Sequence, residues 1–164
     1  MSILITGAAG FIGSNFVLNW LEKNKEKVIA LDKLTYAGNL ENLKSVEKKS
    51  NYEFVKGDIG DSNLVADLLK KYQPRAIINF AAESHVDRSI HGPDDFMQTN
   101  IIGTYRLLEE ARSFFNALSE VNKKQFRFLH VSTDEVYGTL SSNDLAFKET
   151  NQYEPNSPYS ASKA

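Results

Sequence analysis

The chain has no cysteine. Disulfides, thiolate metal sites and a thiol nucleophile are therefore excluded. It also lacks an excess of either charge: 19 basic residues stand against 21 acidic ones, a formal net charge of −2. A protein that grips a phosphate backbone needs a basic surplus, so no nucleic-acid partner is expected. No stretch approaches the ~20 apolar residues of a membrane span, so no membrane partner is expected either. The opening MSILITG runs straight into a strand-like segment without a charged leader, which reads as a cytoplasmic protein. No internal repeat, low-complexity tract or linker interrupts the chain. Two polar stretches, Glu47 to Asn51 and Glu120 to Gln125, read as solvated connections.

What is present is ordinary in amount and informative in order. The 164 residues are 41% hydrophobic and 24% charged, a soluble globular composition for one domain or part of a larger one. Short apolar runs at Ser2–Thr6, Lys27–Asp32, residues 52–59, residues 74–82 and residues 126–132 read as strands. Between them, residues 11–24 carry Phe16, Val17, Trp20 and Leu21 at helical spacing, and residues 62–73 carry Leu64, Leu68 and Leu69 on one face. Pro93 suits the first turn of a long helix continued by Phe96, Ile101, Tyr105, Leu108 and Ala111. Strands alternating with helices imply an α/β fold: a doubly wound, Rossmann-like parallel sheet with right-handed crossovers. SPYSASKA then opens a helix that stops at Ala164. Such a piece is too short to be stable alone, so the chain reads as the N-terminal part of something longer.

TGAAGFIG, from Thr6 to Gly13, spaces Gly7, Gly10 and Gly13 evenly between the first strand and the first helix. Gly7 permits a tight turn, Gly10 lets backbone N–H groups approach a pyrophosphate, and Gly13 allows close packing of helix and sheet. The helix N-terminus then offers unsatisfied N–H groups to an anion. Asp32 ends the second strand, where a carboxylate accepts ribose hydroxyls and repels a 2′-phosphate, favouring NAD over NADP. Lys33 beside it is a basic residue of the kind that tolerates NADP. Asp58, in GDI after the third strand, reads equally as an adenine-side residue or a turn cap.

Ligands of such sheets lie beyond the carboxyl ends of the strands, at the switch between the first and fourth. The fourth ends in Ala81 and Ala82, small enough to wall a flat ring, followed by Ser84, His85, Asp87 and Arg88. His85 has no neighbour to share a metal with, so no metal centre is expected. His91 reads as surface. The fifth ends in STDEVYG. Tyr159 and Lys163 stand one helical turn apart. A free phenol is a poor base at neutral pH. A nearby ammonium and an oxidised nicotinamide would favour its phenolate, able to take a proton from a sugar hydroxyl. The adjacent carboxylates Asp134 and Glu135 are odd for a strand end, since neighbours in a strand point to opposite faces. If they serve one pocket, the strand must have ended or bent before Asp134.

TGAAGFIG near the start with YSASK far downstream resembles the extended short-chain dehydrogenase/reductase superfamily. LDKLTYAGNLENL, NFAAESHVDRSI and HVSTDEVYG narrow the resemblance, over essentially the whole chain, to its dTDP-glucose 4,6-dehydratase family. The resemblance implies residues 1–164 as an NAD-binding Rossmann domain lacking its C-terminal substrate domain, in a homodimer whose members run to roughly twice this length. It implies that Tyr159 deprotonates the sugar 4-hydroxyl while C4 gives hydride to NAD, that Lys163 holds the ribose, and that Thr133 bonds the 4-oxygen. Glu135 would then take the C5 proton, and protonated Asp134 would serve the departing C6 hydroxyl. Phe11, Ile12, Lys33, Thr35, Ala37, Gly38, Asp58, Ile59, Ala81, Ala82 and Thr99 match cofactor-lining positions. Ser84, His85 and Asn100 fall near the sugar or its diphosphate. Without the missing half, the fifth strand's edge would lie uncovered, and little or no turnover is expected of these residues alone. A nucleotide-sugar 4-epimerase, or a cofactor-binding module without catalysis, remains the alternative.

Overall fold

The computed structural model describes all of residues 1–164 and resolves two compact units, Met1–Ala81 with Gly103–Val131 and Ala82–Ile102 with Ser132–Ala164. The first is built on a five-stranded parallel sheet ordered β3-β2-β1-β4-β5, with β1 at Ser2–Thr6, β2 at Lys27–Asp32, β3 at Tyr52–Lys56, β4 at Ala76–Asn79 and β5 at Arg127–His130. The chain winds outward from β1 to β3, then returns to lay β4 on the other side of β1. That reversal leaves a crevice at the carboxyl ends of β1 and β4.

Alternation along the strands builds two cores. Ile3, Ile5, Val28, Ala30 and Ile78 pack with Val17 and Leu21 of helix α1 (Phe11–Lys23) and with Leu43 and Val46 of a 3₁₀ helix, Leu40–Val46. Leu4, Ile29, Leu31 and Ile77 face the other way, onto Val65, Leu68 and Leu69 of α2 (Ser62–Tyr72) and Leu107 and Ala111 of α5 (Thr104–Ala117). Each fully buried Leu or Ile contributes about 1.5–3 kcal/mol. Trp20 stacks on Phe16 at 5.5 Å between ring centroids. Arg75 lies 5.8 Å from the indole and holds Glu26 through two bonds of 2.8 Å. β5 borders the sheet, and its Leu129 side chain is 53% exposed.

Strands end sooner than the apolar runs do. β1 stops at Thr6 because Gly7 turns away at φ +64. Phe80 still donates to the Thr6 carbonyl at 3.1 Å, and β4 has no partner beyond it. β3 likewise stops near the end of β2, where Gly57 donates to the Asp32 carbonyl at 2.9 Å. The polar stretch Glu120–Gln125 is not a plain connection but a short helix, α6, capped by Ser119, which accepts the Asn122 N–H at 3.4 Å.

The second unit contains α3 (Val86–His91), a single turn α4 (Asp94–Phe96), most of a π-helical stretch (Met97–Gly103), a 3₁₀ turn (Asp134–Tyr137) and α7 (Pro158–Lys163). The helix expected from Pro93 is thus present but changes winding before it becomes α5. No helix is long and apolar enough to cross a membrane.

Candidate cofactor and catalytic site

In the first unit, the β1–α1 turn is shaped by the absence of side chains. A Cβ on Gly7 would lie 2.5 Å from the Ala81 nitrogen, and one on Gly13 only 2.1 Å from the Gly7 oxygen. Gly13 therefore accommodates the turn itself rather than the sheet. Gly10 differs: its Cβ would meet nothing nearer than the Gly7 oxygen at 3.4 Å. Gly10 caps α1 without a side-chain acceptor, and the first turn holds no acidic residue, so its N–H groups remain open to an anion. Phe11 and Ile12 are exposed there.

Asp32 is buried, and each oxygen already accepts a backbone N–H, Oδ2 from Ala9 at 2.8 Å and Oδ1 from Leu34 at 2.7 Å. One bond per oxygen leaves acceptor capacity for hydroxyls. The carboxylate also ties the glycine turn to β2, holds Leu34 at φ +58, and requires Gly38, whose Cβ would lie 2.7 Å from Oδ1. Thr35, Ala37 and Gly38 form the turn above it, closed by Gly38 N–H on the Thr35 carbonyl at 3.1 Å. Lys33 is paired with Asp58 at 2.7 Å. Asp58 also accepts the Gly60 N–H at 2.8 Å, so it caps the turn while facing Lys33. Burial pushes its carboxyl up, but Lys33, the Gly60 N–H and Arg106 together bring it below the usual range. Ile59 is buried in the α2–α5 core, so its side chain is structural and only its backbone is free to meet a ligand. Ala81 packs partly against the same core.

Two residues overlooked in the sequence hold this turn in place. Asn39 N–H and Asn42 Nδ2 both donate to the Ala9 carbonyl at 3.0 Å. Nothing in their spacing marks them, because the partner is distant in the chain. Thr6 and Asn79, buried at the carboxyl ends of β1 and β4, bond at 2.5 Å, and Asn79 reaches His130 Nδ1 at 3.0 Å.

In the second unit, the chain has left its strand well before Asp134, as one pocket for both acids requires. Thr133 caps the 3₁₀ turn, its Oγ1 accepting the Glu135 N–H at 3.3 Å. At about three residues per turn, neighbours point ~120° apart rather than to opposite faces. The turn packs against α7 and brings Thr133 and Glu135 beside Tyr159, while Asp134 is exposed on the same turn. Phe96 meets the Tyr159 ring edge-on at 6.4 Å. The Tyr159 phenol is pushed up by burial and by the Glu135 carboxylate, partly offset by a hydrogen bond with Thr133. The protein's own groups thus work against the phenolate, and the expectation that an ammonium and an oxidised nicotinamide favour it concerns the site with its cofactor bound. Lys163, a turn away, is itself brought down by burial to about 8.

Ser84 and His85 are exposed, and Ala82 and Thr99 are half-buried. Asn100 is buried, and its amide is already committed: Oδ1 accepts Glu83 N–H at 2.8 Å, while Nδ2 donates to the Glu83 carbonyl at 2.9 Å and to Ser162 Oγ at 2.8 Å.

A family model described as GDP-mannose 4,6 dehydratase matches residues 4–164. A dTDP-glucose 4,6-dehydratase of Xanthomonas campestris pv. campestris (strain B100) is 59% identical over 161 residues, covering 98% of this chain and 45% of its own. The crystal structure of dTDP-glucose 4,6-dehydratase from Streptomyces venezuelae with NAD and dTDP bound superposes with a TM-score of 0.87 at 47% identity, over 99% of this chain and 48% of that one. UDP-glucose 4-epimerase from Thermus thermophilus, in complex with NAD, gives a TM-score of 0.81 at 30% identity, over 99% and 47%. The chain spans about half the length of the relatives it matches.

Proposed function

The chain belongs to the GDP-mannose 4,6 dehydratase family, and on that premise we propose that residues 1–164 are an NAD-binding domain of a dTDP-glucose 4,6-dehydratase. The reaction is the conversion of dTDP-glucose to dTDP-4-keto-6-deoxyglucose and water. The observation that carries the reading is the grouping of Thr133, Glu135 and Tyr159, with Lys163 on the same short helix.

The protein fits the cofactor. Gly10 leaves room where a Cβ would stand, above uncapped N–H groups, and Asp32 retains acceptor capacity for ribose hydroxyls while opposing a 2′-phosphate. NAD, when bound, supplies the hydride acceptor and a positive ring. Tyr159 takes the proton of the 4-hydroxyl, and Thr133 bonds the same oxygen. Lys163, a half-buried amine, would hold the ribose and, when protonated, favour the phenolate. Glu135 removes the proton at C5, acidified by the new ketone, and Asp134 delivers one to the C6 hydroxyl, which leaves as water; the hydride taken from C4 would then return to C6 while C5 regains a proton from Glu135. An epimerase has no use for that second pair. Ser84 and His85, both exposed, would meet the diphosphate.

Tyr105 and Leu108, both exposed and about one turn apart on α5, support a homodimer. The lack of cysteine and of any membrane-crossing helix supports a cytoplasmic location. The protein purified at its native length and incubated with dTDP-glucose should yield the 4-keto-6-deoxy sugar, seen by its absorbance in alkali. A galactose product would make it an epimerase, and saturable NAD binding without any product would reduce it to a binding module.

A further inference from the structure

The helix that carries Tyr159 and Lys163 has six residues. A helix so short does not sustain itself in water, so its place is set by what pins it. Ser157 and Ser160 form a capping box, with bonds of 3.0 and 3.1 Å. Ser89 Oγ accepts the Tyr159 N–H at 3.2 Å, and Ser132 Oγ donates to the Lys163 carbonyl at 3.0 Å.

The remaining pin reaches further. Ser162 is buried, donates its hydroxyl proton to the Tyr159 carbonyl at 2.7 Å, and accepts from Asn100 Nδ2 at 2.8 Å. Asn100 in turn grips both backbone groups of Glu83, in the segment after β4. The hydroxyl proton and both amide hydrogens are committed, so neither side chain has a donor left for a substrate.

We propose that Ser162 and Asn100 form a positioning pair that sets the Tyr159 phenol and the Lys163 amine at their working places. The proposal rests on the reading of Tyr159 as proton acceptor. Neither residue touches reacting atoms. Deleting the Ser162 hydroxyl leaves a buried Asn100 N–H without an acceptor and the Tyr159 carbonyl without its side-chain donor. The helix then shifts, and an ångström of misplacement lowers a rate by on the order of a hundredfold.

The test uses the intact protein with Ser162→Ala, Ser162→Thr, Asn100→Asp and the double variant S162A/N100D. In single turnover with dTDP-glucose, S162A should slow the appearance of reduced-nicotinamide absorbance at least about tenfold, with KM within about twofold of the parent. S162T keeps the hydroxyl and should recover most of the rate. The double variant should lose little more than the worse single one, because both act through one bond. Amide hydrogen exchange across residues 158–163 should quicken about tenfold in S162A and not in S162T. Parental exchange in S162A, or losses that simply multiply in the double variant, would overturn the pair. A parent that shows no hydride transfer would sink the functional reading instead, and the exchange rates would still decide the pair.

Discussion

Gly10 and Gly13 belong to one motif, yet the fold asks different things of them. A methyl group at Gly13 would stand 2.1 Å from the Gly7 oxygen, 2.9 Å from its carbon and 3.0 Å from Ala8 Cα. Carbon contacts are comfortable only near ~3.5 Å, so backbone must move by more than about 1 Å. The same oxygen accepts the Gly10 N–H at 3.3 Å, so the turn after β1 is lost as it moves. Overpacking against backbone with a broken turn costs about 3 kcal/mol. At Gly10 a methyl meets only the Gly7 oxygen at 3.4 Å and the Ala37 oxygen at 3.9 Å. Its φ −73 and ψ 173 suit alanine. A weaker N-cap is offset by lower entropy in the unfolded chain, leaving a net change within about 0.5 kcal/mol. That methyl nonetheless occupies the room above the open N–H groups of α1. At roughly 2–4 °C per kcal/mol, G13A should melt about 6–12 °C below the parent and G10A within about 2 °C of it. Titration with NAD should show G10A weakened at least about thirtyfold, ~2 kcal/mol. A G13A protein that melts with the parent, or a G10A protein with parental NAD affinity, refutes the reasoning.

Two further outcomes follow from titratable groups. Lys163 falls from 10.5 to about 8 on folding, so the unfolded chain holds this proton more tightly and stability should rise from about pH 8 to about pH 10.5. Discounted for its partly wetted side chain, the gain is about 1–2 kcal/mol. The urea midpoint should show it in a Y159F background, which removes the opposing effect of the raised phenol, and K163M should abolish it. Separately, Thr6 donating to Asn79 Oδ1 turns the Asn79 amide toward His130 Nδ1, which fixes a neutral imidazole protonated at Nε2. Nitrogen chemical shifts reporting an Nδ1–H imidazole would contradict that orientation.

Periodicity sufficed for what is local and repetitive. The unbroken apolar run Ile3, Leu4 and Ile5 already implied a sheet buried on both faces, and the turn at Gly7 to Gly13 announced itself by composition. Strand ends were over-read because a strand's length is set by its neighbour: Phe80 to Ala82 are as apolar as Ile77 but have nothing to pair with beyond Thr6. Nothing in the hydrophobic spacing of residues 97–103 distinguishes π from α winding, and Leu40–Val46 is too short and polar to declare itself. The acids at 134 and 135 were legible as a demand on geometry: the strand does end before them, with Glu135 beside Tyr159 and Asp134 exposed on the same turn. The setting of Tyr159 was only partly legible, because its burial and the nearness of Glu135 come from the closed fold while the lysine a turn away stands in the sequence. Asn42, Asn100 and Ser162 were invisible as anchors, since their partners are fixed only by the closed fold.

Trp20 is the only tryptophan in the chain, and it sits between Phe16 and the Arg75 guanidinium on the helix that starts at Gly10. Intrinsic emission is therefore a single-position gauge of how α1 seats on its sheet. It will register loosening of α1 behind the glycine turn without any label being added.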